Sequence, residues 1–199
     1  MGSKLTVYSL VAQHLAQDEG LIDPDQDTRL TVAINAVWDI ARKATLRCNT
    51  WNFAIQRVSL PALSDAPAFG YGYQFNLPGD FVRLADIDGP IPQARDWKLE
   101  GGKLLGNSTP LQVIYVRDCT EVERWDDLFE LALSYKIAEL IAVQITGDAN
   151  VKMECQQSFK DVFGDAQATD AQENPPQGFD DDPWVTARWG YGYSTYWPS

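Results

Sequence analysis

Residues Tyr71–Leu84 read YGYQFNLPGDFVRL, and this stretch decides how the middle of the chain folds. Apolar and polar residues alternate from Tyr73 to Leu77, which is the period of a half-buried β-strand. The Pro78-Gly79 pair then interrupts the strand, because proline presets φ and glycine accepts a positive φ. An extended run resumes at Phe81, so the pattern predicts the inner corner of a small sheet. The side chains expected to pack inward are Leu77, Phe81 and Leu84.

Helical periodicity precedes this corner. A first helix is predicted over residues 4–17, and its His14, without a catalytic partner nearby, is expected at the surface. Asp23-Pro24 has the residues of a helix start, so a second helix is predicted from there to about Asn49. Its apolar stripe comprises Leu30, Ala33, Ile34, Val37, Ile40, Ala41, Ala44 and Cys48, with Trp38 packed beside it.

Two more helices are predicted after residue 118. Thr120 and Glu123 have the spacing of a capping box, and Gly147 is expected to end the long helix that follows them. That helix is apolar on most sides, so it should lie at the centre of a bundle or be buried by another subunit. Asp148 is expected to cap the last helix, which ends in the polar segment 167–178.

Strand periodicity dominates between the two helix pairs. Alternation begins at Trp51, a hairpin is predicted about Gly101-Gly102, and a final strand covers Leu111 to Tyr115. The predicted fold class is therefore α+β: an antiparallel bundle of about four helices with an inserted small antiparallel β-domain and an extended C-terminal tail. The predicted domains are a bundle of residues 1–50 and 119–170, a β-rich insertion of residues 51–118, and a tail of residues 171–199.

The charge of the chain limits the classes of partner. The 199 residues carry a formal net charge of -12 and an isoelectric point of about 4.4. No cluster of Lys and Arg is present, so a wrapped DNA-binding surface is not expected. Residues 147–199 contribute nine acidic against three basic side chains. Carboxylates that lined a channel would let DNA slide past without binding.

Cysteine usage and hydropathy argue against disulfide-stabilised, zinc-binding and membrane-spanning proteins. Cys48, Cys119 and Cys155 are far apart and form no CxxC pair, so neither a disulfide framework nor a zinc site is expected. The longest apolar runs are too short to span a membrane. No cofactor motif is present, and we expect no cofactor, no metal and no catalytic residue.

The last 21 residues are unusually aromatic for a segment without periodicity. A disordered segment is normally poor in aromatic residues, whereas aromatic anchors suit docking onto a partner or a neighbouring copy. Wrapping onto its own domain is the alternative. The docking residues predicted here are Phe179, Trp184, Trp189, Tyr191, Tyr193, Tyr196 and Trp197.

Three short sequence segments, taken together, resemble one protein family. They are Trp51–Ala54, the turn at residues 73–84, and Tyr115–Asp118 leading to Trp125–Phe129 and an alanine-rich helix. Together they resemble the tail tubular protein A family, the head-to-tail adaptor of T7-like short-tailed bacteriophages. The resemblance covers about residues 4–165, and the Leu-Pro-x-Asp-Phe-x-Arg-Leu turn is its most specific piece.

The resemblance implies a structural virion protein rather than an enzyme. It implies a ring of about twelve copies between the portal and the tail nozzle (tail tubular protein B), with tail fibres attached nearby and double-stranded DNA passing through unbound. Such a protein is made in the host bacterial cytoplasm and resides at the head–tail junction of the virion. Arg83 is the residue of the turn region for which a contact with a neighbouring subunit is expected.

Two other functions compete with the adaptor. A head-completion plug would close the portal instead of extending the tail, and sequence separates it poorly from an adaptor. A tail-associated polysaccharide hydrolase would need two carboxylates facing each other across a cleft. The nearest candidates are Asp80, Asp86, Asp88 and Glu100, although acidic residues in such loops are more often solvated turn residues.

Overall fold

A computed structural model describes residues 3–16, 24–88 and 96–173. Within these ranges the chain has four helices and two small antiparallel sheets, which confirms the predicted α+β class. The helices are α1 Lys4–His14, α2 Arg29–Cys48, α3 Asp127–Thr146 and α4 Ala149–Glu173. The strands are β1 Ile55–Leu60, β2 Tyr73–Asn76, β3 Phe81–Asp88, β4 Trp97–Glu100, β5 Lys103–Gly106 and β6 Leu111–Arg117.

The predicted start of α2 at Asp23-Pro24 is wrong. Asp23 lies outside the described ranges, and Pro24 lies in a turn before the helix. The helix starts at Arg29 because Thr28 and Thr31 form a reciprocal cap. The Thr28 hydroxyl accepts from the Thr31 amide at 3.2 Å, and the Thr31 hydroxyl accepts from the Thr28 amide at 3.0 Å. Two free amides are thereby satisfied.

The start predicted for α3 at Thr120 and Glu123 is also wrong. Residues Val122–Arg124 form a short 3-10 turn, and the carboxylate of Asp126 caps α3 by accepting from the Leu128 amide at 2.8 Å. Burial of Trp125 fixes this arrangement, since its indole Nε1 donates to the carbonyl of Cys119 at 3.1 Å. The helix ends as predicted at a left-handed glycine, Gly147, with φ of 74°.

Helix α3 lies at the centre of the bundle, as its composition predicted. It packs against α1, α2 and α4. Phe129 is fully buried there, with its ring edge-on to Trp51 at 5.2 Å and to Trp125 at 5.1 Å. Most of its apolar surface is therefore covered within one chain, and only part of its outer face is left exposed.

The six strands form two three-stranded sheets, ordered β1-β6-β3 and β2-β5-β4. The prediction that the Pro78-Gly79 turn joins two strands of one sheet is wrong, since β2 pairs with β5 and β3 with β6. The turn instead carries the chain from one sheet to the other. The expected inward packing is confirmed, because a second hydrophobic core between the sheets receives Leu77, Phe81 and Leu84.

The sheet β1-β6-β3 also contacts the bundle. Val82 of β3 and Val116 of β6 belong to the helical core, whereas Ile87 and Val113 on the same strands belong to the second core. Strand alternation places these pairs on opposite faces of the sheet. One sheet therefore separates the two cores and joins the β strands to the bundle.

Candidate interaction surfaces

One face of α2 is exposed and carries only basic and aliphatic side chains. Its residues recur every three or four positions, which places them on one side of the helix. Val32 and Ile40 are 55% and 68% exposed, so the prediction that Ile40 and Cys48 belong to the core is wrong. The α2 stripe, as we call this face, comprises Arg29, Val32, Ala36, Ile40, Lys43 and Arg47.

The α2 stripe is basic on an acidic protein. Helix α2 holds four basic residues and one acidic residue, a net charge of +3 where the whole chain carries -12. Neighbouring elements hold two of the stripe's cations in place. Arg29 donates to the carbonyl of Gln144 on α3, and Arg47 Nη1 donates to the carbonyl of Val82 at 2.8 Å.

A cleft continues the stripe at the end of α2. It encloses about 270 Å³ between α2 and the turn at Pro78-Gly79. We call it the joint cleft, because it lies where the bundle meets the sheet. Its lining residues are Lys43, Ala44, Arg47, Gly79, Asp80, Phe81, Val82 and Asp118.

Ion pairs fix the geometry of the joint cleft. The guanidinium of Arg42, whose side chain is 7% exposed, donates to both carboxylate oxygens of Asp118, from Nε at 3.0 Å and from Nη2 at 3.2 Å. Lys43 Nζ lies 3.6 Å from the same carboxylate. Burial alone would lower the pKa of Arg42, but Asp118 and Asp39 raise it by hydrogen bonding and attraction.

The turn at Pro78-Gly79 forms the other wall of the joint cleft. Asp80 accepts from the Tyr115 hydroxyl at 3.0 Å, and its backbone carbonyl accepts from the Asp118 amide at 2.7 Å. Burial and the hydrogen bond to Asp80 raise the pKa of Tyr115 to about 12, so the phenol stays protonated as the donor. The turn is thus tied to both Tyr115 and Asp118 at the end of β6.

A second exposed surface lies on the β strands. Phe69, in the loop before β2, is 88% exposed, and Tyr73 and Leu99 on the outer strands of the second sheet are also exposed. Aromatic residues exposed on a loop and adjacent strands are frequent in protein interfaces. No period or motif in the sequence distinguishes Phe69, because it lies in a loop.

Arg83 lies half-buried on β3, opposite Val116 in the strand register. Its Nε is buried and has no hydrogen-bond partner among the residues that the structure describes. An unpaired buried donor is costly, but an atom buried within one chain is not accessible to another subunit, so this Nε does not test the predicted contact. The predicted contact of Arg83 with a neighbour therefore stays a prediction.

The carboxylates considered for a hydrolase do not converge on one site. Asp80 accepts the hydroxyl of Tyr115, and Asp86 accepts from the Ile87 amide at 2.8 Å. Glu100 lies on the sheet β2-β5-β4, where it pairs with Lys98 at 2.6 Å. Asp88 lines a shallow groove on β1 and β6, away from the turn. The seven aromatic docking residues predicted in the tail lie outside the described ranges.

The prediction that His14 lies at the surface is wrong. Its ring stacks on Tyr135 with centroids 3.9 Å apart, and Nε2 lies 2.9 Å from the hydroxyl of Ser134. Because that hydroxyl donates to the carbonyl of Leu131 at 2.7 Å, it accepts the N–H of His14. Burial lowers the pKa of His14 to about 4.

This burial predicts a pH dependence of stability. The pKa of His14 lies near 4 in the folded state against an ordinary 6.5, so the unfolded state binds the extra proton first. The free energy of unfolding should therefore fall as pH drops from 6.5 towards 4, by at most about 1.4 kcal/mol per pH unit from this group. Urea unfolding at several pH values measures it. The variant His14→Phe keeps a stacked ring without the titration, and an equal slope in both proteins would contradict the assignment.

Within residues 3–16, 24–88 and 96–173, no group of three His, Cys, Asp or Glu side chains could hold a metal ion. Of the helices in these ranges, none is long and apolar enough to cross a membrane.

Comparison with known proteins gives no match, either to a protein-family model or to a curated protein sequence.

Proposed function

We propose that the chain is a structural virion protein, a head-to-tail adaptor that joins a portal to a tail nozzle of the tail tubular protein B type. About twelve copies form a ring at the head–tail junction, and double-stranded DNA passes through it without specific binding. Tail fibres attach nearby, and the protein has no enzymatic role. The resemblance of three short sequence segments to the tail tubular protein A family is the basis for naming these partners.

One observation carries the proposal: large apolar side chains are exposed in two separate groups, one on each part of the chain. On the helices they are Val32, Ile40, Leu140, Val143 and Met153, and on the β strands and their loop they are Phe69, Tyr73 and Leu99. An apolar patch at each group would mark an association site. An adaptor needs two such sites, because it contacts a different ring on each side.

The predicted contact of Arg83 with a neighbouring subunit belongs to this proposal, since its side chain on β3 is only partly buried. The carboxylates of the β strands favour the adaptor over the hydrolase, since Asp80 and Asp86 hold backbone and side chains in place. A glycosidase needs two carboxylates on either side of a bound sugar.

The experiment that tests this function combines the full-length protein with purified portal rings. Mass photometry should show a portal species heavier by the mass of a complete ring of this chain. A mixture in which the chain and the portal keep their separate masses would contradict the proposal. Electron microscopy of particles lacking the protein distinguishes an adaptor, which predicts filled heads without tails, from a plug, which predicts empty heads.

The tail gives a sharper prediction within the same assay. Deleting residues 179–199 should leave the melting temperature nearly unchanged, because the core residues that the structure describes lie between Val7 and Ala166. The same deletion should abolish attachment to the neighbouring ring, since the aromatic anchors are lost. The deletion of residues 191–199 alone is the matched control, with a partial loss. Attachment at the full-length level after the longer deletion would show that the tail is not the anchor.

A further inference from the structure

The α2 stripe and the joint cleft present three kinds of surface in a fixed order. Ile40 is an exposed aliphatic side chain, and the cations of Lys43 and Arg47 follow within two helical turns. The joint cleft comes next, with apolar walls from Ala44 and Phe81 and with the carboxylates of Asp80 and Asp118, which are held by Tyr115 and Arg42. A ligand complementary to this order would be apolar, then acidic, then apolar.

The chain contains such a ligand in its own sequence. Residues 179–184 read FDDDPW, an aromatic residue, three aspartates and, after Pro183, a second aromatic residue. This is the most acidic run in the last 26 residues, in which the one basic residue is Arg188. Charge complementarity of this kind fixes register and partner more than it adds affinity.

The end of α4 is close enough for this segment to reach the stripe. Arg29 at the start of α2 contacts Gln144 near the end of α3, so these helices are antiparallel. Helix α4 runs back along α3, with Lys136 Nζ lying over the ring of Phe159. Glu173 and Arg47 therefore lie at the same end of the bundle.

The distance to be spanned is moderate. Two successive helix packings separate α4 from α2 across α3, roughly 16–20 Å. The seven residue steps from Glu173 to Asp180 can span up to about 23 Å. The segment can therefore reach Lys43 and Arg47 without moving any helix.

We propose that residues 179–184 bind the α2 stripe and the joint cleft of their own chain. Phe179 packs on Ile40, the aspartates pair with Lys43 and Arg47, and Trp184 enters the cleft of about 270 Å³. This docking covers Ile40, so Val32, Leu140, Val143 and Met153 remain as the exposed apolar side chains of the helices. It leaves Trp189 and the four aromatic residues that follow it free to bind the neighbouring ring. It also places them at one end of the bundle instead of anywhere within reach of a loose tail.

Nucleic acid is a less suitable occupant of the same surface. The stripe offers three cations between Arg29 and Arg47, about 27 Å of helix, and aliphatic side chains occupy its centre. A phosphate backbone would meet Val32 and Ile40 there and gain nothing from them. An aromatic and acidic peptide uses both kinds of side chain.

A disulfide trap in the full-length protein tests the docking. One partner of the trap is the exposed native thiol of Cys48, which lies at the end of α2, one turn beyond Ala44, while Cys119 and Cys155 are buried. It is combined with Val185→Cys, one residue after the segment. After mild oxidation, an internal disulfide in the monomer should be the main product on a non-reducing gel, because a disulfide needs Cα atoms about 4.4–6.8 Å apart.

The matched control is Cys48→Ser with Glu123→Cys, an exposed position just before α3 at the same end of the bundle and within the same reach of Val185→Cys. It should stay mostly reduced, and an equal yield from this control would overturn the proposal. Disulfide-linked dimers would assign the segment to a second copy and overturn docking on its own chain. Loss of the trap on adding duplex DNA, with DNA bound, would assign the stripe to nucleic acid instead.

The charges are tested in the same Val185→Cys protein. Replacing the three aspartates by Asp180→Asn, Asp181→Asn and Asp182→Asn should lower the yield about fivefold, as should a high salt concentration. An unchanged yield would remove charge pairing from the proposal. Since the trap is measured on the free protein without portal, its outcome is independent of whether the chain forms an adaptor ring.

Discussion

Replacing Asp118 with alanine is expected to lower the free energy of unfolding by roughly 3–5 kcal/mol, because it leaves the buried guanidinium of Arg42 without its bidentate partner. Arg42 retains Asp39, but that side chain is 76% exposed and its attraction is weakened by solvent. Urea denaturation followed by circular dichroism measures the change.

Two further variants show whether burial is the cause. Asp39→Ala removes the exposed partner of the same arginine and should cost no more than about 1 kcal/mol. The double variant Arg42→Met, Asp118→Leu removes both charges and should be much less destabilised than the sum of its single changes. Equal losses of unfolding free energy for Asp118→Ala and Asp39→Ala would show that the stability of the protein does not depend on burial of the Arg42–Asp118 ion pair.

Replacing Phe129 with alanine should have an effect of similar size, about 3–5 kcal/mol. The side chain is fully buried, and its ring is edge-on to Trp51, Phe53 and Trp125 at 5.2, 5.0 and 5.1 Å. The change removes these aromatic pairs and leaves a cavity at the meeting point of α3 and the segment before β1.

The melting temperature of the Phe129→Ala protein should fall by on the order of 10 °C for a chain of this size. Phe129→Leu keeps most of the volume and should lose much less. Leu140→Ala, at an exposed position on the same helix, is the control and should change stability by about 0.5 kcal/mol or less. A loss below about 1 kcal/mol for Phe129→Ala would mean that the cluster collapses around the missing ring.

Local features of the fold were predictable from the sequence. Gly101 and Gly102 adopt positive φ of 60° and 74° and join β4 to β5, as their pairing predicted. Gly147 ends α3 for the same reason, since a left-handed residue there favours glycine. These features depend on residues that are adjacent in the chain, which is what a sequence pattern records.

Features that join distant segments were not predictable in this way. The alternation on either side of Pro78 is compatible with one sheet or two, and only the pairing with β5 and β6 decides. Arg42 and Asp118 lie 76 residues apart, and His14 and Ser134 lie 120 apart. No local period marks such pairs.

The candidate surface was partly recognisable. Val32, Ala36 and Ile40 repeat every four residues and lie on the same helix face as Arg29 and Lys43. This pattern was visible in the sequence beside the apolar stripe that packs in the core. Ile40 was assigned to the core because hydrophobicity alone does not tell which of two adjacent faces packs on α3. The basic residues on the same face were the signal that could have separated them.

In the sequence, all six strands lie between α2 and α3, two helices that pack against each other, and this order affects how the chain folds. Helices α2 and α3 are separated in sequence by residues 49–126, so bringing them together in an unfolded chain closes a long loop. Once β1 pairs with β6, with Ile55 opposite Val116, the two ends of that loop are already neighbours. The entropy of closing the loop is then lost when β1 pairs with β6 across residues 61–110, and the docking of α2 on α3 that follows is a local step.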